Sequence, residues 1–285
     1  MIPTVILHEN YSEYLEVNVQ ITGKNNLIYL IGNENIKFLE KYPNVNFVDI
    51  NSYLNSEKVK YYKKKFKNRG NYDKHSSWFW FIRMIIIYEF MKEFKLQKVF
   101  SCDSDNILLK NINDFQFKSN NAICIPNTWE PYYFTSSVHA GLVSLDFCKK
   151  YEELFEEVFI WKNKIELVEK KIKFHKKNPG SFCDMTFYHI IKESDNFEIQ
   201  NLLDIINIDG NDYTFIQNYA NGEGLVSRNQ YLTDELGIKL FQNKELKSNM
   251  LYDQINQKFI NIFNLHFQGK HKQYLNYELL NRLYF

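Results

Sequence analysis

Four cysteines are all that this 285-residue chain contains, at positions 102, 124, 148 and 183. No two of them form a C-x-x-C pair, which excludes a cysteine zinc site and a disulfide framework and suits a reducing compartment. An excess of one charge is missing too: 35 Lys and Arg stand against 34 Asp and Glu, a formal charge of +1, unlike the basic domain that a general nucleic-acid binder needs. Long apolar runs are absent. The most apolar segment, Trp78 to Met91, is interrupted by Arg83 and Glu89 and falls short of the roughly 20 residues that span a bilayer; a buried helix is expected there. The first apolar run, Val5 to Leu7, is only strand-sized, and no basic segment with a cleavage site precedes it, so the expected location is the cytoplasm. What the chain does have is aromatic rings, 17% of its residues, either as packing material or as flat surfaces for sugars and bases.

The apolar pattern alternates strand and helix. Thr4 to His8 reads as a strand, Tyr11 to Ile21 as a helix, and Leu27 to Ile31 and Asn46 to Ile50 as further strands, which predicts a parallel α/β sheet. A polar, Lys- and Tyr-rich stretch from Ser56 to Lys74 follows. Ser76 or Ser77 then caps the apolar helix, which runs to about Phe94. Lys98 to Cys102 returns to a strand, Ala122 to Ile125 and Ala140 to Leu145 are short strands, Tyr151 to Lys173 is helical in pattern, and Asp184 to Ile191 begins a shorter helix. Beyond these lie turn-rich patches at Asp209-Gly210-Asn211-Asp212 and Asn221-Gly222-Glu223-Gly224. With no repeat and no linker, the expectation is one domain with an irregular C-terminal half.

Chemistry concentrates where the strand ending at Cys102 meets Asp103-Ser104-Asp105-Asn106. Open α/β sheets bind ligands at the carboxyl ends of their strands, and two carboxylates two residues apart can face one hard cation, Mg²⁺ or Mn²⁺. An Asp-x-Asp alone also suits a solvated turn, but here it lies between the apolar runs Val99 to Cys102 and Ile107 to Leu109, where charges need a partner or a metal. A second motif, Leu265-His266-Phe267-Gln268-Gly269-Lys270-His271-Lys272, reads His-Phe-x-Gly-x-x-Lys. Imidazole suits Mn²⁺, glycine lets backbone approach phosphate, and lysine neutralises it.

The segment from Arg83 to Asp105 resembles the centre of GT-A glycosyltransferases, and the His266 to Lys272 motif resembles that of the retaining glycogenin and lipopolysaccharide-galactosyltransferase family. The resemblance implies a GT-A fold, a Rossmann-like mixed sheet flanked by helices, with a nucleotide-binding half over about residues 1–110 and an acceptor half over about 111–285. It implies a metal-dependent transfer from a nucleotide sugar such as a UDP-sugar to a glycan or lipid-linked acceptor, with retention of configuration. Asp103, Asp105 and His266 would hold the metal; Ser104, Asp105, Gly269 and Lys272 would hold the donor. His139-Ala140-Gly141 resembles the Asn-Ser-Gly or Asn-Ala-Gly stretch that lines the donor sugar, with His139 in place of the Asn. Asp184-Met185 stands where the family has Asp-Gln, which leaves Asp184 either to bind donor hydroxyls or to take a catalytic role, and Gln273-Tyr274 replaces the usual Pro-Trp.

Three features stay open at this level. Arg83, inside an apolar helix, needs an acidic or phosphate partner, so it either pairs with Asp103 or another carboxylate or contacts the donor. Tyr11 either stacks on the nucleotide base or packs in the core. The basic run Lys60 to Lys67 is either a solvated helix face or a contact with anionic lipid or a lipid-linked acceptor, as is the basic, aromatic stretch from Lys270 to Phe285. Two other functions fit these residues less well. A nucleotidyltransferase needs a glycine-rich loop after its first strand, where this chain reads His8-Glu9-Asn10-Tyr11-Ser12; a non-catalytic carbohydrate- or nucleotide-binding protein has no need for an intact Asp103, Asp105 and His266.

Overall fold

The computed structural model describes residues 1–126, 135–178, 180–194, 196–216, 218 and 250–276. The patch from Asn221 to Gly224 and the chain beyond residue 276 lie outside them. The first half alternates as its pattern predicts: β1 (Thr4–His8), α1 (Glu13–Thr22), β2 (Ile28–Gly32) and β3 (Val45–Asp49), followed by the single turn α2 (Asn51–Leu54), α3 (Glu57–Lys65), α4 (Lys74–Glu93) and β4 (Lys98–Cys102). Next come β5 (Asn106–Leu108), β6 (Asn121–Cys124), β7 (Ser137–Ser144), α5 (Leu145–Phe155), α6 (Glu166–His175) and α7 (Met185–Lys192). The remaining strands are β8 (Ile199–Asn201), β9 (Ile206–Ile208), β10 (Asn211–Thr214), β11 (Met250–Asp253), β12 (Lys258–Ile262) and β13 (Asn264–His266).

Caps set the helix boundaries. Ser12 accepts from the Leu15 amide, so α1 starts at Glu13 rather than Tyr11. Asp73, not Ser76 or Ser77, caps α4, its carboxylate accepting from the Ser76 amide at 2.9 Å; a carboxylate at that position also meets the positive end of the helix dipole. The continuous helix expected from Tyr151 to Lys173 is instead α5, a π-helical turn over Glu156–Ile160, and α6. Lys162, between them, takes a left-handed φ of 58°.

The main sheet has seven strands in the order β3-β2-β1-β4-β7-β6-β8. β3, β2, β1 and β4 are mutually parallel, as their pattern predicts, and β7 runs antiparallel to both β4 and β6, so the sheet is mixed, as the resemblance implies. An eight-residue strand buried almost throughout, as β7 is, carries no alternation from which its direction can be read. Asp209 and Gly210, both at positive φ, form the two-residue turn between β9 and β10, whose pairing begins at Ile208 and Asn211; positive φ at both positions is what such a tight hairpin needs.

Apolar side chains cover both faces of the sheet. On one face α4 buries most of its middle, from Ser77 to Met91, and Phe81 there meets Phe66, Phe159, Phe182 and Phe187 at ring distances of 5.8, 5.2, 5.2 and 5.1 Å. On the other, Leu15 and Val19 of α1 pack with Ile6, Leu30 and Phe100. No described helix is long and apolar enough to cross a membrane.

Candidate functional site

The parallel strands β1 and β4 point their carboxyl ends the same way, with Ile6 beside Cys102, and the chain leaving β4 turns at Asp103-Ser104-Asp105. Asn18 of α1 fixes that turn. Its Nδ2 donates to the carbonyls of Asp103, Ser104 and Asn106 at 3.2, 2.9 and 2.9 Å, and Thr22 orients the Asn18 amide by donating to its Oδ1 at 2.7 Å. The Asp103 amide donates to the His139 carbonyl of β7 at 2.8 Å. Buried carbonyls left without such donors would each be costly, so the carboxylates sit on a braced backbone.

His266 arrives from about 160 residues away in sequence by strand pairing. β13 lies antiparallel to β5 with His266 opposite Asn106, and the Phe267 amide donates to the Asp105 carbonyl at 2.8 Å. Asn264 locks the pair, donating to Asn106 Oδ1 at 2.8 Å and to the Ile216 carbonyl at 3.0 Å. The His266 ring stacks on that of His139 at 4.2 Å and 12°. After β13, Gly269 takes φ +63°, and the 3₁₀ turn Gly269–Tyr274 brings Lys272 Nζ to 3.0 Å from Asp105 Oδ2. Few residues other than glycine tolerate that φ without strain.

Asp103, Asp105 and His266 each place one ligand atom within 4.8 Å of the others. Ligands about 2.2 Å from a shared cation are about 3.1 Å apart when adjacent and about 4.4 Å when opposite, so the trio stands near the separations of a cation site and has to draw inward to close on an ion. Two carboxylates and an imidazole are a donor set that suits a divalent metal ion, and the residues present fit one. His266 Nε2 lies 3.4 Å from Asp105 Oδ1.

Charge around the site is tightly balanced. Arg83 Nη1 meets Asp103 Oδ1 at 2.8 Å, while its Nε and Nη2 meet Asp184 Oδ2 at 3.0 and 2.9 Å. Tyr188 also donates to Asp184 Oδ2, at 3.0 Å, and Asp184 caps α7. Three carboxylates therefore face two permanent cations, Arg83 and Lys272, and the His266 ring, which adds positive charge when protonated. Burial disfavours the charged form of Arg83, but Asp103 and Asp184 outweigh it and hold its pKa well above normal. Burial raises Asp184, with Arg83 opposing and Asp103 adding to the rise. Burial likewise works against ionised Asp105, yet His266 and Lys272 prevail and hold its carboxyl well below the usual range. Lys272, raised by Asp105 and Tyr14 against the effect of burial, remains an ammonium ion. Burial and then Lys272 push His8 down to about 4, and burial and His266 push His139 well below its ordinary value; both rings are neutral at neutral pH.

The remaining positions named from the sequence are placed as follows. Arg83 pairs with two carboxylates, and Ser104 contributes its carbonyl to Asn18. His139 is buried behind His266, held by Ser137 Oγ at 2.9 Å from its Nδ1. Gly141 lies inside the sheet opposite Ser101, where a Cβ would sit 3.3 Å from the Ala122 carbonyl oxygen and from Val138; close strand packing by itself accounts for glycine there. Tyr11 is not in the core: it is 47% exposed beyond β1, its hydroxyl donating to Glu16 at 2.9 Å and its ring 5.6 Å from Phe38. Residues that the sequence reading missed are Asn18, Asn106, Asn264, Tyr188 and His8. Asn18 and Asn264 did carry a signal, each being a lone amide among apolar neighbours, Val17 and Val19 or Phe263 and Leu265.

No protein-family model and no curated protein sequence matches this chain. Among solved structures it is similar to mouse xyloside xylosyltransferase 1 in its apo form, 13% identical over 70% of this chain and 84% of that one, TM-score 0.47. It is also similar to a glycosyltransferase involved in the glycosylation of the major capsid of PBCV-1, 12% identical over 73% and 86%, TM-score 0.37. A third is the apo form of the glycosyltransferase GlyE of Streptococcus pneumoniae TIGR4, 16% identical over 70% and 45%, TM-score 0.39. At such values function has to be read from the side chains at the strand ends.

Proposed function

We propose that this chain is a GT-A glycosyltransferase that moves a sugar from a nucleotide donor, a UDP-sugar, to a hydroxyl of a glycan or lipid-linked acceptor with retention of configuration. The observation that carries the reading is the meeting of Asp103 and Asp105 with His266 and Lys272, two motifs about 160 residues apart in sequence, at one strand end. In this reading residues 1–110 supply the nucleotide-binding half and 111–285 the acceptor half. Asp103, Asp105 and His266 hold Mn²⁺ or Mg²⁺, which supplies Lewis-acid stabilisation of the leaving diphosphate. Lys272 leaves Asp105 for the diphosphate and adds a second positive contact where negative charge develops. The bond from the anomeric carbon to the β-phosphate oxygen breaks, the acceptor oxygen bonds on the same face, and its proton passes to the departing phosphate. Arg83 keeps Asp103 and Asp184 in register, and Asp184 binds donor hydroxyls.

The test is UDP release from a panel of nucleotide sugars, with and without Mn²⁺, alongside calorimetric titration of UDP. Metal-dependent binding and release from at least one donor are expected, and both should vanish in Asp105→Asn. UDP affinity indifferent to Mn²⁺, with no release from any donor, overturns the proposal in favour of a non-catalytic binding protein.

A further inference from the structure

Two stretches hold a large share of the positive charge of this nearly neutral chain. Residues 57–67 contain six lysines and one glutamate, and residues 161–177 contain seven lysines and two glutamates. Since the whole chain has a formal charge of +1, everything else is net acidic. The fold brings the two stretches together. α3 packs on the π-helical turn that leads towards α6, with Phe66 and Phe159 rings 4.9 Å apart and the Tyr62 hydroxyl 2.5 Å from Glu156. Arg69 pairs with Glu169 of α6 at 2.6 Å, and the Asn71 amide donates to the carbonyls of His175 and Gly180 at 3.1 and 3.0 Å.

Packing turns the lysines outward. On α3, Val59, Tyr62 and Phe66 face the core, leaving Lys63, Lys64, Lys65 and Lys67 exposed. On α6, Val168, Lys171 and His175 face inward, leaving Lys170, Lys173, Lys176 and Lys177 exposed on and just after the helix. Exposed aromatic rings belong to the same stretches: Trp161 is 57% exposed and Tyr61 46%, with Lys65 Nζ 5.5 Å above the Tyr61 ring. Phe174 helps line a shallow depression of about 320 Å³ together with Lys170, Lys173, Lys177 and Asn178.

We infer that the face formed by α3 and α6 docks on the anionic headgroups of a lipid bilayer. Clustered lysines next to a surface of negative lipids attract it diffusely, and Trp and Tyr settle at headgroup depth. Lysine rather than arginine makes up the cluster, and Arg69 is engaged with Glu169. That composition suits a smeared anionic surface, whereas reading phosphates or bases in a nucleic acid favours the planar guanidinium fork. The inward side of the same helix reaches towards the site: α6 contacts α7, which Asp184 caps, and Lys171 Nζ lies 3.0 Å from Thr135 Oγ1. Docking through α6 sets that edge about one helix diameter, ~10 Å, from the lipid surface. The consequence that an acceptor is presented from the membrane rests on the proposed transferase activity; docking itself does not.

Flotation of the full chain with phosphatidylglycerol-containing and pure phosphatidylcholine vesicles, at low and high salt, tests the inference. Binding to the anionic vesicles that weakens with salt, with little binding to neutral ones, is expected. A lysine near such a surface is worth about fivefold in partitioning. The quadruple variants K63Q/K64Q/K65Q/K67Q and K170Q/K173Q/K176Q/K177Q should therefore each lose at least about tenfold, allowing for saturation. Trp161→Ala should weaken what remains at high salt, and K24Q/K118Q, exposed lysines elsewhere, should bind like the parent. All these positions are exposed, so unchanged circular dichroism is expected and shows that loss of binding is not loss of fold. Equal binding to neutral vesicles, indifference to both quartets, or displacement from vesicles by nucleic acid at lower phosphate concentration overturns the inference. UDP release in solution separates this outcome from the enzymatic one: binding without release leaves the docking face standing, and release without binding removes only that face.

Discussion

Arg83→Met removes the one guanidinium shared by Asp103 and Asp184, and the structure gives both the size and the sign of the effect. Asp184 is almost wholly buried, its side chain only 4% exposed, and besides Arg83 its side chain accepts from Tyr188 and from its own helix at Met185. Removing one partner of a buried ion pair costs about 3–5 kcal/mol. At about 2–4 °C per kcal/mol for chains of this size, that is a fall in Tm of roughly 10 °C at neutral pH. Burial already raises the Asp184 pKa, and without Arg83 it rises further. A carboxyl whose folded pKa lies above its unfolded value of about 3.9 stabilises most below that value, and the stabilisation is lost as pH rises through the folded pKa. The gap between wild type and variant should therefore be small near the unfolded pKa and widen towards neutral pH. Thermal unfolding followed by circular dichroism across that window is the assay. Mn²⁺ restores only part of the loss, since it replaces the cation beside Asp103 and not the one beside Asp184. A variant that melts with the wild type at neutral pH, or whose deficit does not change with pH, refutes the view that Arg83 compensates a buried carboxylate.

Lys272→Ala should leave the fold intact, because Lys272 is partly exposed on a short turn, and should lower turnover by about 10² to 10³-fold; unchanged UDP release from a folded variant would dismiss its role at the diphosphate. Asn18→Ala leaves the Ser104 carbonyl without its Asn18 donor and takes one donor from the Asp103 and Asn106 carbonyls, which keep the Asn106 amide and Cys102 Sγ respectively, so a loss of about 1–3 kcal/mol in stability is expected, together with weaker Mn²⁺-dependent UDP binding although no charge has changed. Wild-type affinity in that variant would show that the turn holds its shape unaided. Asp184→Asn should weaken donor use while an α-linked donor still gives an α-linked product, read from the anomeric coupling in the proton NMR spectrum of the first product. A β-linked product would instead mark an inverting enzyme with Asp184 as its base.

The local order of strands and helices from Thr4 to Cys102 is decided by the chain itself, since apolar periodicity and short polar caps act over a few residues and are visible without a partner. The same is true of the Asp103-Ser104-Asp105 motif, whose setting between two apolar runs already called for a counter-charge. Tertiary structure alone decided that β7 runs antiparallel at the middle of the sheet, because a strand buried on both faces has no alternation that encodes direction. It also decided that the counter-charge is Arg83, shared with Asp184 from a third element. It set His266 beside Asp105, a meeting that the paired motifs already implied, through the β5–β13 pairing and the amides of Asn18, Asn106 and Asn264. Such amides look ordinary in a sequence, where what they satisfy is not written, because buried carbonyls acquire their need for a donor only once the packing has removed water from around them.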